Sequence, residues 1–232
     1  MKYVIVFDMD DTLYDELTYV QSGFRAVAEY LKNLTSVDKD ELYSFMWERL
    51  LQNGRGRIFN DVLLAYSGQI DEHLLRKCIE VYREHEPNIQ LPRQSVQILE
   101  KFKEHALYIV TDGDVGVQEK KIKALGLNNY VKEAIASYKK GVDKGKPSPY
   151  WFNYIAKNEE VEPQQIVYIG DNANKDFVGI NRLGFRTIRV KQGQYVKDVP
   201  STLHEAEVVI ENLTDLPNAL KKIWTNFITE GD

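Results

Sequence analysis

Two periodicities divide this chain. Short, mostly apolar runs at 3–7, 106–110, 166–169, 187–190 and 208–210 have the length and β-branched content of strands buried on both faces. Between them apolar positions recur at helical spacing. Val96, Leu99 and Phe102 share one face of a helix over 94–104, and Ser148-Pro149 opens another over 149–158. Strands alternating with helices in this way predict a doubly wound α/β core on a mostly parallel sheet.

The interval 14–90 breaks the alternation. It holds no strand pattern but several amphipathic helices, over 16–34, 38–52, 59–66 and 71–85. An all-helical insert of that size can fold as a small bundle of its own, with Tyr19, Phe24, Val27 and Leu31 in its core and "EPNIQLP" (86–92) as the return linker. The expected organisation is a core of residues 1–13 and 91–232 interrupted by a helical domain at 14–90. Trp47 and Trp151 read as packing residues, and the terminal "TNFITEGD" (225–232) is expected to fray.

Composition narrows the function more than the fold. The 232 residues are 43% apolar and 28% charged, ordinary for a globular protein. A net charge of -5 and a pI near 5.5 argue against nucleic acid or an anionic membrane as partner, because polyanions reward clusters of lysine and arginine. A small soluble ligand fits better. No run approaches the roughly 18 apolar residues of a membrane helix, and Met1-Lys2 leads directly into a strand pattern, so a cytoplasmic protein is expected, as a monomer or small homo-oligomer. The single cysteine, Cys78, allows no intrachain disulfide and no cysteine-built zinc site, and its helical context suits an apolar filler. The four histidines are dispersed, with no pair at metal-binding spacing.

The chemistry begins where the first apolar run ends, in "FDMDDT". Asp8, Asp10 and Asp11 lie at the carboxyl end of a predicted strand, which is where open parallel sheets bind ligands. Other segments bring further polar residues to the same edge: Thr111 and Asp112 in "IVTDGD", Lys146 in "GKPSP", and Asp171 and Asp176 in "VYIGDNANKD". Clustered carboxylates repel one another unless a cation joins them, and oxygen-only ligands select a hard divalent ion such as Mg²⁺. That ion commonly bridges carboxylates to a phosphate, while a lysine and a hydroxyl suit the remaining phosphate oxygens. An aspartate can itself attack phosphorus, splitting one hard step into two easier ones.

Asp8-Met9-Asp10-Asp11-Thr12 is similar to the DxDxT motif of the haloacid dehalogenase-like (HAD) superfamily. Thr111, Lys146-Pro147-Ser148-Pro149 and Gly170-Asp171 through Asp176 resemble its second, third and fourth motifs, in the same order. The resemblance covers essentially the whole chain, and the helical insert resembles the cap that many members carry after the first motif. It implies a Rossmann-like core with a helical cap. Position by position, it implies Asp8 as nucleophile and metal ligand, and Asp10 as general acid/base whose main-chain carbonyl also meets the metal. Thr111 and the Asp112 amide would bind the phosphoryl group, Lys146 would neutralise it together with Asp8, Asp171 would ligate Mg²⁺ and Asp176 would support it. Lys144 competes for the lysine role, but Pro147-Ser148-Pro149 sets the helix start behind Lys146. Asp11 is expected to be a structural residue at the turn, and Asn181 stands where relatives often have alanine.

The implied activity is that of a phosphatase, a Mg²⁺-dependent hydrolase that cleaves a small phosphorylated metabolite (a sugar phosphate, nucleotide or similar) through an aspartyl phosphate. A phosphomutase or phosphotransferase with the same intermediate stays open, as do a receiver-like signalling protein and a non-catalytic binding protein. Selectivity would fall to the insert. There "NGRGR" sets Arg55 and Arg57 beside Gly54 and Gly56, candidate specificity residues for an anionic substrate, against the alternative of an ordinary solvated turn.

Overall fold

The computed structural model describes residues 1–224, so the expected fraying of 225–232 lies outside the described residues. The chain opens with β1 (Val4–Phe7) and four helices, α1 (Glu16–Thr35), α2 (Lys39–Asn53), α3 (Ile58–Ser67) and α4 (Glu72–Glu84). Then follow α5 (Arg93–Lys101), β2 (Ala106–Thr111), α6 (Val115–Ala124), β3 (Glu133–Ala136) and α7 (Tyr150–Glu159). The last elements are β4 (Ile166–Gly170), α8 (Val178–Asn181), β5 (Arg186–Val190), β6 (Val208–Ile210) and α9 (Leu216–Ile223). Two compact units result, one of Met1–Glu16 with Gln90–Asp232 and one of Leu17–Ile89.

In the first unit six parallel strands form one sheet in the order β3-β2-β1-β4-β5-β6. Central β1 pairs Val4 with Ala106 on one side and with Ile166 on the other, and keeps that register to Phe7. All four of its side chains are fully buried, which explains why the run carries no polar alternation. On one face Val4, Val6, Tyr108, Val110, Ile135 and Tyr168 pack with Trp151, Phe152 and Ile155 of α7, with Phe177 and with Ile180 of α8. Each such side chain contributes about 1.5–3 kcal/mol by leaving water, so the strand ends are held firmly.

The expected α/β architecture agrees with this sheet, and β3 and α6 are among the elements that were not read from the sequence. β3 is a four-residue edge strand, "EAIA", whose first two residues are half-buried. α6, "VGVQEKKIKA", has too few apolar positions to show a stripe. The helix expected at 94–104 stops at Lys101, where the Phe102 amide turns to bond both Ile98 and Glu100. Asn181 ties two segments together, donating from Nδ2 to the Glu205 carbonyl at 2.9 Å and accepting from Thr187 Oγ1 at 2.8 Å.

The second unit is all helical. Val20, Phe24, Val27, Ala28 and Leu31 of α1 share its core with Leu42 and Met46 of α2, Val62 of α3 and Cys78 of α4. Asp38 and Asp71 cap α2 and α4 through the amides of Asp40, and of His73 and Leu74. Gly68 closes α3 in the left-handed conformation at φ 73°. Burial pushes the Cys78 thiol up to about 11, so it is an inert filler. Among the described residues no helix is long and apolar enough to cross a membrane.

Candidate active site

The strand order reverses beside β1. The chain moves outward through β2 and β3, then returns to place β4 on the other flank, opening a crevice at the carboxyl ends of β1 and β4. Asp8 follows β1 directly, Thr111 ends β2 and Asp171 follows β4. The Asp8 amide still donates to the Ile169 carbonyl at 2.8 Å, so the ladder itself fixes the first acid.

Asp8, Asp171 and Asp176 are all buried, and each offers an oxygen within 4.8 Å of the other two. Lys146 Nζ lies 2.9 Å from Oδ1 of Asp8 and 2.9 Å from Oδ1 of Asp176, and donates to the Tyr168 hydroxyl at 2.7 Å. Asp176 Oδ2 also accepts from the Asn172 amide at 3.0 Å. Burial drives Asp8 up to about 7, Lys146 opposing and Asp176 adding to the rise. For Asp171 burial and the charges of Asp8 and Asp176 act together and push it up to about 9. The lysine is burdened by burial, yet Asp176 and Asp8 hold it well above its usual range. Lys144 instead pairs with Asp143 at 2.8 Å on the surface.

Asp10 faces different partners. Its Oδ1 accepts from the Tyr14 hydroxyl at 2.6 Å and from Lys121 Nζ at 2.9 Å, and its Oδ2 accepts from Gln118 Nε2 at 2.9 Å. Burial favours its protonated form, but Lys121 and the hydrogen bonds of Tyr14 and Gln118 outweigh it and leave Asp10 below the usual carboxylate range. Gln118 Nε2 also donates to Thr111 Oγ1 at 2.6 Å. Asp114 caps α6, the helix that carries Gln118 and Lys121, by accepting from the Val117 amide at 3.2 Å.

The remaining acids serve the frame. Asp11 adopts a left-handed φ of 55° and accepts from the amides of Glu16 at 2.9 Å and Gln194 at 3.0 Å, which suits a turn residue. The Asp112 side chain joins three segments, accepting from Ser137 Oγ at 2.5 Å and the Lys146 amide at 3.1 Å, with Lys175 Nζ at 3.4 Å. Arg55 and Arg57 belong to the helical unit, where both are exposed. Gln118, Lys121 and Lys175 were not singled out from the sequence. Only the i, i+3 spacing of Gln118 and Lys121 after a capping aspartate marked the first two.

The residues present fit a hard divalent cation. Of the three buried carboxylates Asp8 and Asp176 share one lysine, Asp171 has no lysine or arginine partner among the described residues, and every donor is oxygen. A cation there would supply the positive charge that burial leaves missing.

The family model of the haloacid dehalogenase-like hydrolases matches residues 4–184, from the start of β1 to the turn before β5. A glyceraldehyde 3-phosphate phosphatase of Methanocaldococcus jannaschii is 28% identical over 228 residues, 94% of this chain and 98% of that protein. A HAD phosphatase of Thermococcus onnurineus is 25% identical, with a TM-score of 0.58 over 95% of this chain and 98% of that one. The fold is shared with a 2-haloacid dehalogenase of Pseudomonas syringae at 22% identity, with a TM-score of 0.65 over 96% and 99% of the two chains.

Proposed function

The chain belongs to the haloacid dehalogenase-like hydrolases, and we propose that it cleaves a small phosphorylated sugar through a phosphoaspartate at Asp8, with Mg²⁺ held by Asp8, the Asp10 main chain and Asp171. Relatives that match most of the chain are phosphatases, and so is this protein. One observation carries the mechanism. A carboxylate at the end of a fully buried strand has a buried lysine 2.9 Å away and two further buried carboxylates within 4.8 Å.

In the first step an Asp8 oxygen bonds to phosphorus as the bond to the leaving oxygen breaks, and the Asp10 carboxyl gives its proton to that oxygen. In the second, Asp10 takes a proton from water while the water oxygen bonds to phosphorus and the Asp8–phosphorus bond breaks, releasing inorganic phosphate. Bound Mg²⁺ offsets the charge shared by Asp8 and the phosphoryl group. Lys146 and Thr111 do the same for the other phosphoryl oxygens, and Asp176 holds Lys146 in place. Resting Asp10 is the carboxylate that the second step requires. The approach of a phosphoryl dianion raises its proton affinity, so Asp10 takes up a proton from solvent as substrate binds and gives that proton to the leaving oxygen in the first step.

The name shared by the relatives supports a three-carbon sugar phosphate, and glyceraldehyde 3-phosphate heads the substrates to test. The helical unit is read as the cap, with Arg55 and Arg57 as its candidate specificity residues. The test is phosphate release from a panel of sugar and nucleotide phosphates with Mg²⁺. Release that disappears in Asp8→Asn supports the proposal. Isomerisation of a sugar phosphate without release would make the protein a mutase instead.

A further inference from the structure

A carboxylate has about four acceptor sites, two on each oxygen. In Asp10 three of them are filled from within the protein: Tyr14 and Lys121 take both sites of Oδ1, and Gln118 takes one site of Oδ2. Among the described residues nothing fills the last site, on Oδ2. Two of the three donors come from one helix turn of α6, where Gln118 and Lys121 are both buried at 2% exposure. Burying a lysine and an amide is unfavourable unless they are fully engaged, so this turn is committed to the carboxylate it grips.

Gln118 fixes a second group as well. A carboxylate only accepts, so the atom facing Asp10 Oδ2 must be the amide nitrogen, whose other hydrogen points to Thr111 Oγ1 at 2.6 Å. With that oxygen accepting, the Thr111 hydroxyl is free to direct its own hydrogen at an anion.

We propose that Lys121 and Gln118 are positioning residues for the reaction: together they orient Asp10 so that Oδ2 alone exchanges the proton, and Gln118 sets Thr111 as a donor to the phosphoryl group. The inference rests on the acid/base reading of Asp10. Lys121 Nζ also lies 3.3 Å from Glu16 Oε1, a second carboxylate that holds the same ammonium in place.

The test compares two esters on the same enzyme preparation, so that loss of folded protein cancels. Glycerol 3-phosphate has a poor alkoxide leaving group that needs a proton, whereas 4-nitrophenyl phosphate has a good one that does not. kcat/KM is read because it reports only the steps up to the phosphoaspartate. Lys121→Met should lower kcat/KM on the alkyl ester by about 30–100-fold and on the aryl ester by less than about 3-fold, the range of a misplaced general acid. Lys121→Arg should recover most of the loss. Gln118→Leu should lower both esters through Thr111 and the alkyl ester further still, and it decides the matter if Lys121→Met does not fold. Asp10→Asn is the reference. If Asp10→Asn is selective for the alkyl ester while the Lys121 and Gln118 variants lose both esters equally, the inference is overturned alone. If Asp10→Asn shows no such selectivity, the acid/base reading fails and the inference falls with it.

Discussion

Lys146 Nζ stands 2.9 Å from Oδ1 of Asp8, with the lysine side chain 1% exposed. A cation this deeply buried persists only because Asp8 and Asp176 surround it, so the three groups form one unit. Lys146→Met should therefore lower kcat/KM by about 10²–10³-fold, as removal of a preorganised charge does. Lys144→Met should leave kcat/KM unchanged, because its partner Asp143 is a surface neighbour. Steady-state kinetics on a single phosphate ester separates the two lysines.

Mg²⁺ should stabilise the protein, and more so at high pH. The folded-state values of about 7 for Asp8 and about 9 for Asp171 lie above the ordinary carboxylate value. Their contribution to stability is thus present at acid pH and lost as pH rises through 7 and then 9. A cation that takes the place of those protons reverses the loss. The rise in Tm on adding Mg²⁺ should grow from pH 6 to pH 9, and the ion at a hundred times its Kd should add about 2.7 kcal/mol of stability. In Asp171→Asn the rise should largely vanish. Thermal melts with and without the ion check both.

Asp11 separates a structural acid from a ligand. Asp11→Ala places a Cβ residue without side-chain acceptors at φ 55° and strands the amides of Glu16 and Gln194, at a cost of roughly 2–3 kcal/mol. Asparagine tolerates that backbone and keeps an acceptor, so Asp11→Asn should retain most of the stability. Both variants should keep the Mg²⁺ concentration dependence of the wild type. Urea melts and a Mg²⁺ titration of activity test the pair.

Far from the site, Glu159 is buried and held by Lys2 at 2.9 Å, Lys132 at 2.6 Å and the Tyr108 hydroxyl. Burial would raise it, but hydrogen bonds from Lys132, Lys2 and Tyr108 outweigh that and lower it to about 2. A depressed folded-state value contributes stability above the ordinary 4.5 that is lost as pH falls towards 2. Glu159→Gln should cost roughly 2–3 kcal/mol at pH 7, and the gap from wild type should narrow between pH 5 and pH 3. Urea melts across that range measure it.

The parallel sheet was legible because its strands are buried on both faces, and Phe7, Thr111 and Gly170 end theirs beside the polar residues that gather at one edge. What stayed hidden belongs to elements whose pattern is polar. Glu133 and Ala134 open β3 half-exposed, and the edge strand therefore lacks a continuous apolar run. Gln118 and Lys121 look like a solvated helix face in the sequence. Nothing local shows that the α6 turn bearing them packs onto Asp10, more than a hundred positions earlier in the chain. The separation of Lys144 from Lys146 likewise depends on burial, which Tyr168 and Asp176 bring from β4 and the loop beyond it. Long-range pairing of polar groups leaves no period for the sequence to display.

The central claim is that Asp8 carries the phosphoryl group. The direct measurement is rapid quenching of the enzyme with a ³²P-labelled phosphate ester and Mg²⁺, followed by assay of the denatured protein for label that hydroxylamine releases. Wild type should retain such label and Asp8→Asn should retain none. Label that persists in Asp8→Asn, or turnover by wild type with no labelled protein at any quench time, would contradict the account.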